Sequence, residues 1–169
     1  MTMPTPPPEP VRPAPPGPTS TPVRGTGGDT LNVIPLVIGA IGAIAVFVSP
    51  FLPWFSFEGP DGSLNGTSVP VEFLWNTSIG GDGPSLLVAL GPMALLIILG
   101  AVFGRARVLA IIGGVLAIAA AALFVIQTSG LLDDLRIDEG TFDALGIGPY
   151  IAFAGGAVGV FAGLVPRTD

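Results

Sequence analysis

Two apolar runs, Leu86–Phe103 and Val108–Thr128, lie back to back with only Gly104, Arg105, Ala106 and Arg107 between them. Neither run contains Asp, Glu, Lys or Arg. Each supplies the ~20 apolar residues that a helix needs to cross a ~30 Å hydrocarbon core. Helices joined by so short a turn must lie antiparallel, and in a bilayer each satisfies its own backbone amides. The expected unit is a transmembrane hairpin. Its turn carries Arg105 and Arg107 and no acid, so the positive-inside rule places it in the cytoplasm and sets the topology of every other crossing.

A first crossing is expected over 31–53, since no charged residue occurs between Thr30 and Phe57. It begins too far into the chain, and without a small-residue cleavage site, to be a signal peptide, so it reads as an uncleaved anchor. Pro35 falls in its first turn, where a missing N–H is tolerated. Pro50 and Pro53 stop it. Phe51, Trp54, Phe55 and Phe57 then read as an interfacial aromatic belt. The second and third crossings are bounded at 86–103 and 108–128, with a kink expected at Gly91-Pro92, and the fourth at 149–165. The fold class is thus an all-α membrane protein, a left-handed-type four-helix transmembrane bundle (31–169) with a small β-like outer loop and both termini cytoplasmic.

Composition narrows the chemistry. The chain is 169 residues long, half hydrophobic and only 11% charged, too apolar for a soluble domain of this size. It has no His, Cys or Lys, which removes the usual metal ligands, the thiol and imidazole nucleophiles and any disulfide framework. No cofactor, metal site or catalytic residue is expected, and no nucleic-acid partner. The charges divide by side. Arg12, Arg24, Arg105, Arg107 and Arg167 outnumber Glu9, Asp29 and Asp169 on the cytoplasmic face. Arg136 stands alone outside against Glu58, Asp61, Glu72, Asp82, Asp133, Asp134, Asp138, Glu139 and Asp143.

Residues 1–30 hold ten of the nineteen prolines and few large apolar side chains. Such a segment buries too little surface to offset its ordering entropy, so it reads as a disordered, partly polyproline II tail. Arg12, Pro15 and Pro18 fit an R-x-x-P-x-x-P ligand pattern, and Thr5, Thr19, Ser20 and Thr21 are potential phosphate acceptors. A solvated spacer is the preferred reading.

The outer loops carry more pattern. Gly59 to Gly62 and Asn65-Gly66 supply turn chemistry. Val69, Val71 and Phe73 alternate with Pro70, Glu72 and Leu74, predicting a short edge strand. Asn65-Gly66-Thr67 and Asn76-Thr77-Ser78 are glycosylation sequons, read as unused. In the second loop Leu131, Leu132 and Leu135 share one helical side opposite Asp133 and Asp134, which predicts a short amphipathic turn on the interface. Its acids match no EF-hand spacing and read as a solvated face, not a Ca²⁺ site. Trp54, Phe73 and Trp75 are expected to hold the first loop against the membrane as one platform.

Two small-residue stripes complete the pattern. Gly155, Gly159 and Gly163 make overlapping GxxxG steps, and Gly113, Ala117 and Ala121 repeat at the same spacing. Such faces let helices approach closely, either within one bundle or between copies. Packing inside the bundle is the preferred reading.

Four crossings, internal termini and a larger first outer loop with Trp54 and Leu74-Trp75 resemble the claudin-like tetraspans and their W…GLW pattern. Phe73 stands where that motif has Gly, and without Cys the family's loop disulfide has no counterpart. The Pro-rich tail and Leu52-Pro53-Trp54 after the first helix also resemble small four-helix membrane proteins of actinobacteria. Both resemblances imply a multi-pass plasma-membrane protein. The expected function is a non-enzymatic accessory or scaffold, with the lipid bilayer and other membrane proteins or a second copy as partners. The alternative is a small channel or transporter subunit, weakened because all four crossings lack ionisable groups.

Overall fold

A computed structural model describes residues 33–56, 62–76, 83–103, 106–135 and 140–166, all within the compact unit Leu31–Asp169. The expectations for residues 1–30, Phe57 to Asp61, Thr77 and Ser78, Asp82, Arg105, Arg136 to Glu139 and Arg167 lie outside these residues.

Among the described residues the protein is mostly helical, with four helices: α1 (Val33–Val48), α2 (Leu86–Val102), α3 (Arg107–Leu135) and α4 (Gly148–Leu164). Two are long and apolar, α1 with its continuation to Phe51 and α3. Each helix packs on its sequence neighbours and α4 returns to α1, closing a ring. Small residues make this possible, because a helix without large side chains on one face brings its backbone against the next. A methyl group added at Gly42 would lie 2.8 Å from the Gly155 carbonyl oxygen, and one at Gly155 would lie 2.9 Å from the Gly42 oxygen. α1 and α4 therefore touch backbone to backbone. Gly114 and Gly156 form the equivalent reciprocal contact between α3 and α4, and Gly100 meets Ala110 between α2 and α3.

The boundaries differ from expectation in two places. α1 ends at Val48 and passes into a 3-10 turn, Ser49–Phe51, with Pro50 in its first positions. α3 runs on to Leu135, absorbing what the sequence presented as a separate interfacial turn. Thr128 and Ser129 sit inside the helix with their hydroxyls donating back into it, to the carbonyls of Phe124 at 2.8 Å and Ile126 at 2.7 Å, a bonding mode that helices accommodate. Leu132 is buried and Asp133 and Asp134 are exposed on this extension. α2 continues through Pro92.

The strand lies elsewhere than predicted. β1 (Pro53–Ser56) pairs antiparallel with β2 (Ser63–Asn65), whereas Val71–Leu74 is a 3-10 turn. Residues i and i+4 share a side in a strand and in a helical turn, so Val69 and Phe73, both fully buried, fit either. Leu74 is buried as well and Val71 only half so, which is the helical pattern. Pro70 instead bridges to Ser85.

Candidate functional site: an aromatic cap over one end of the helices

β1 has a register irregularity between Pro53 and Phe55, where Pro53 pairs with Asn65 and Phe55 with Leu64. Two residues on one strand thus oppose one on the other, and Trp54 is the bulged residue. In a regular strand, successive side chains point to opposite faces. Here the bulge turns both Trp54 and Phe55 inward, and both are fully buried. The aromatic belt expected of these two side chains is therefore an internal core. Phe51 alone of the described belt residues is exposed.

Phe124, the lone aromatic residue of α3, is the hub of this core. Its ring centroid lies 4.7 Å from Trp54 in an edge-to-face arrangement, 4.9 Å from Phe55 and 5.2 Å from Phe73. Phe55 and Phe73 meet edge to face at 5.4 Å. These are the separations and tilts that aromatic quadrupoles favour. Val69, Leu86 and Leu90 are fully buried in the same cluster.

The indole is held at its polar edge. Its Nε1–H donates to the Ser49 carbonyl at 2.7 Å, and the Ser49 hydroxyl donates to the Val46 carbonyl at 2.9 Å. A methyl at Gly66 would fall 2.7 Å from both Nε1 and Cδ1, and one at Gly148 would strike the same edge. Only glycine leaves room for the ring at these two positions. Trp54 thereby contacts the end of α1, the turn after β2 and the start of α4 at once.

Backbone bonds tie the loops together around it. The Thr67 amide donates to the Pro50 carbonyl at 2.8 Å, and Val71 to Pro84 at 2.7 Å. On the other edge of β1, Ser56 donates to Ala144 at 2.9 Å and Gly146 to Trp54 at 3.0 Å. The second loop thus extends the small sheet. Gln127 of α3 donates from Nε2 to the Leu74 carbonyl at 3.4 Å, a long contact that places Leu74 beside α3.

Of the three platform residues, Trp54 and Phe73 are brought together and Trp75 is not. Trp75 is 65% exposed and stands outside the cluster. The stripe of α4 is fully buried, but its glycines serve different neighbours: Gly155 meets α1, Gly159 meets Ile97 of α2, and Gly163 meets Ile111 of α3. Gly113 meets the Met93 carbonyl of α2, and Ala117 lies beside Gly156 of α4. Arg107 is exposed at the first turn of α3. Phe55, Phe124, Gly66 and Gly148 carried no sequence signal assigning them to one site, although an isolated Phe in an Ala-rich helix marks a place where something large must pack.

On the outward surface a groove of about 410 Å³ runs between α3 and α4, lined by Ala121, Val125 and Ile126 with Pro149, Tyr150 and Phe153. Comparison with family models, curated proteins and solved structures gives no match.

Proposed function

We propose that the protein is a multi-pass plasma-membrane protein whose four helices all cross the bilayer with both termini cytoplasmic, and that it acts as a non-enzymatic accessory or scaffold. The observation that carries the membrane reading is the inverted distribution of side-chain size. Large apolar residues are exposed along the outside, among them Val37, Ile41, Ile44, Leu95, Val115 and Phe161, while the closest contacts between helices are made at glycine and alanine. A soluble protein rarely leaves so many large apolar side chains exposed along its helices. In hydrocarbon that surface needs no cover.

The scaffold reading is supported by the closed interior. Ile97 fills the middle of the ring, lying 2.9 Å from where a methyl at Gly159 would sit and 3.1 Å from one at Gly113. A plug of this kind, with Arg107, Asp133 and Asp134 confined to the two ends of α3 and no charge in the other three helices, favours a packing role over a conduction path. The cap then serves as the surface presented to other membrane components.

Cysteines placed at Ser20 and Ser63 in this Cys-free chain test the topology. An impermeant thiol reagent on intact cells should label the second and spare the first; the reverse refutes it. Purification in mild detergent should retain a membrane partner. A lone monomer that passes solute in liposomes would instead establish the channel or transporter alternative.

A further inference from the structure

Two of the four helices, α2 and α4, are shorter than a typical hydrocarbon core is thick. α2 and α4 have 17 residues each, about 25 Å at a rise of ~1.5 Å per residue, against a hydrocarbon core of ~30 Å. A second measure runs along α3. Gln127 is twenty residues from Arg107, which is about 30 Å of helix. Counted from the first turn of α3, Gln127 therefore marks the outer edge of the core. Its contact with Leu74 sets Trp75, the next residue, at that same level. Phe124 lies lower still, and Phe55, packed on it, bridges to Leu145. Both loops are thus level with the membrane boundary.

The exposed side chains fit that depth. Beyond the ends of the short helices stand Trp75, Phe142 at 71% exposure and Ile147 at 55%, and Phe51 after α1 is exposed as well. Asp133 and Asp134, on the part of α3 beyond Gln127, are exposed and polar. Resting on the transmembrane reading above, we propose that the cap is sunk in the headgroup region of the outer leaflet. Trp75 and Phe142 are its lipid-binding side chains, supplying the ~5 Å that α2 and α4 lack. Indole is the side chain best suited to that layer, with an apolar body and one N–H for a headgroup oxygen or water. The partner is the lipid surface itself.

The two tryptophans make the test direct, because Trp54 is buried and gives a constant background. Four proteins are reconstituted in phosphatidylcholine vesicles with bromine at shallow or deep acyl positions: the native chain, Trp75→Phe, Trp75→Phe with Phe142→Trp, and Trp75→Phe with Ile41→Trp. Ile41 is 57% exposed in the middle of α1. Trp75→Phe alone should be quenched by neither lipid. The native chain and the Phe142→Trp protein should be quenched at least twofold by shallow bromines and little by deep ones or by aqueous iodide. Quenching by iodide without response to shallow bromines, while Ile41→Trp responds to deep bromines, overturns the sunken cap and leaves the transmembrane reading standing. An Ile41→Trp protein that no brominated lipid quenches overturns both.

Discussion

Replacing Trp54 with Ala should release both loops of the cap together. Removing a fully buried indole costs about 3–5 kcal/mol through lost contacts and the cavity left behind. The bond from Nε1 to the Ser49 carbonyl adds about 0.5–1.5 kcal/mol. Its loss leaves no orphan, since the Leu52 amide also donates to that oxygen at 3.1 Å. The total of about 4–6 kcal/mol converts, at ~1.4 kcal/mol per tenfold, to an opening equilibrium raised on the order of a thousandfold or more. Hydrogen exchange in nanodiscs reads this at three amides, Thr67, Val71 and Gly146, each bonded to a different segment of the cap. All three should lose protection in Trp54→Ala, and Trp54→Phe should shift them in the same direction by a smaller factor. Trp75→Ala, at an exposed position, should leave them within the ~0.5 kcal/mol scatter of surface changes. Faster exchange confined to Thr67, with Val71 and Gly146 unchanged, would show that the indole anchors one turn only and would refute its role as the common joint.

Gly155→Val should separate α1 from α4, because even the first carbon would press on the Ala45 methyl and on the Gly42 and Val46 backbone; overpacking of about 1–3 kcal/mol is expected as a lower thermal midpoint in detergent. Gly130→Ala is the matched opposite, since nothing lies within 4 Å of the added carbon, and the gain in helix propensity should stabilise by about 0.5–1 kcal/mol. Equal effects of the two would contradict the packing described. Ile97→Ala should cost at least about 2 kcal/mol by emptying the centre of the ring, measured by the same melt, and a neutral result would mean that the interior is filled some other way.

How far the chain could be read in advance depended on what each pattern discriminates. Charge-free runs bounded by prolines and arginines pointed to four helices, because helix length and apolarity are one-dimensional properties. The end of α3 was hidden, since Thr128, Ser129 and Gly130 resemble a stop, although the two hydroxyls bond inside the helix. The cap was less legible still. An aromatic residue after a transmembrane segment suits a lipid interface and a buried core equally, and the bulge that sends Trp54 and Phe55 to the same side depends on how β1 pairs with β2. Trp75 looks like Trp54 in sequence, yet no strand pairing turns it inward. The stripe on α4 was visible as a packing face, but its division among three neighbours follows from the ring and from nothing local.

The pocket of Trp54 draws its walls from opposite ends of the described chain: Ser49 and Gly66 on one side, Gly148 on the other. Synthesis delivers these parts in order. The indole emerges with the first loop, meets Phe124 once α3 is made, and keeps one edge uncovered until the glycine that opens α4 arrives. The cap is for that reason a record of completion. A chain interrupted before the last helix would carry an open tryptophan pocket, so the cap takes its final form only on molecules whose four helices are all in place.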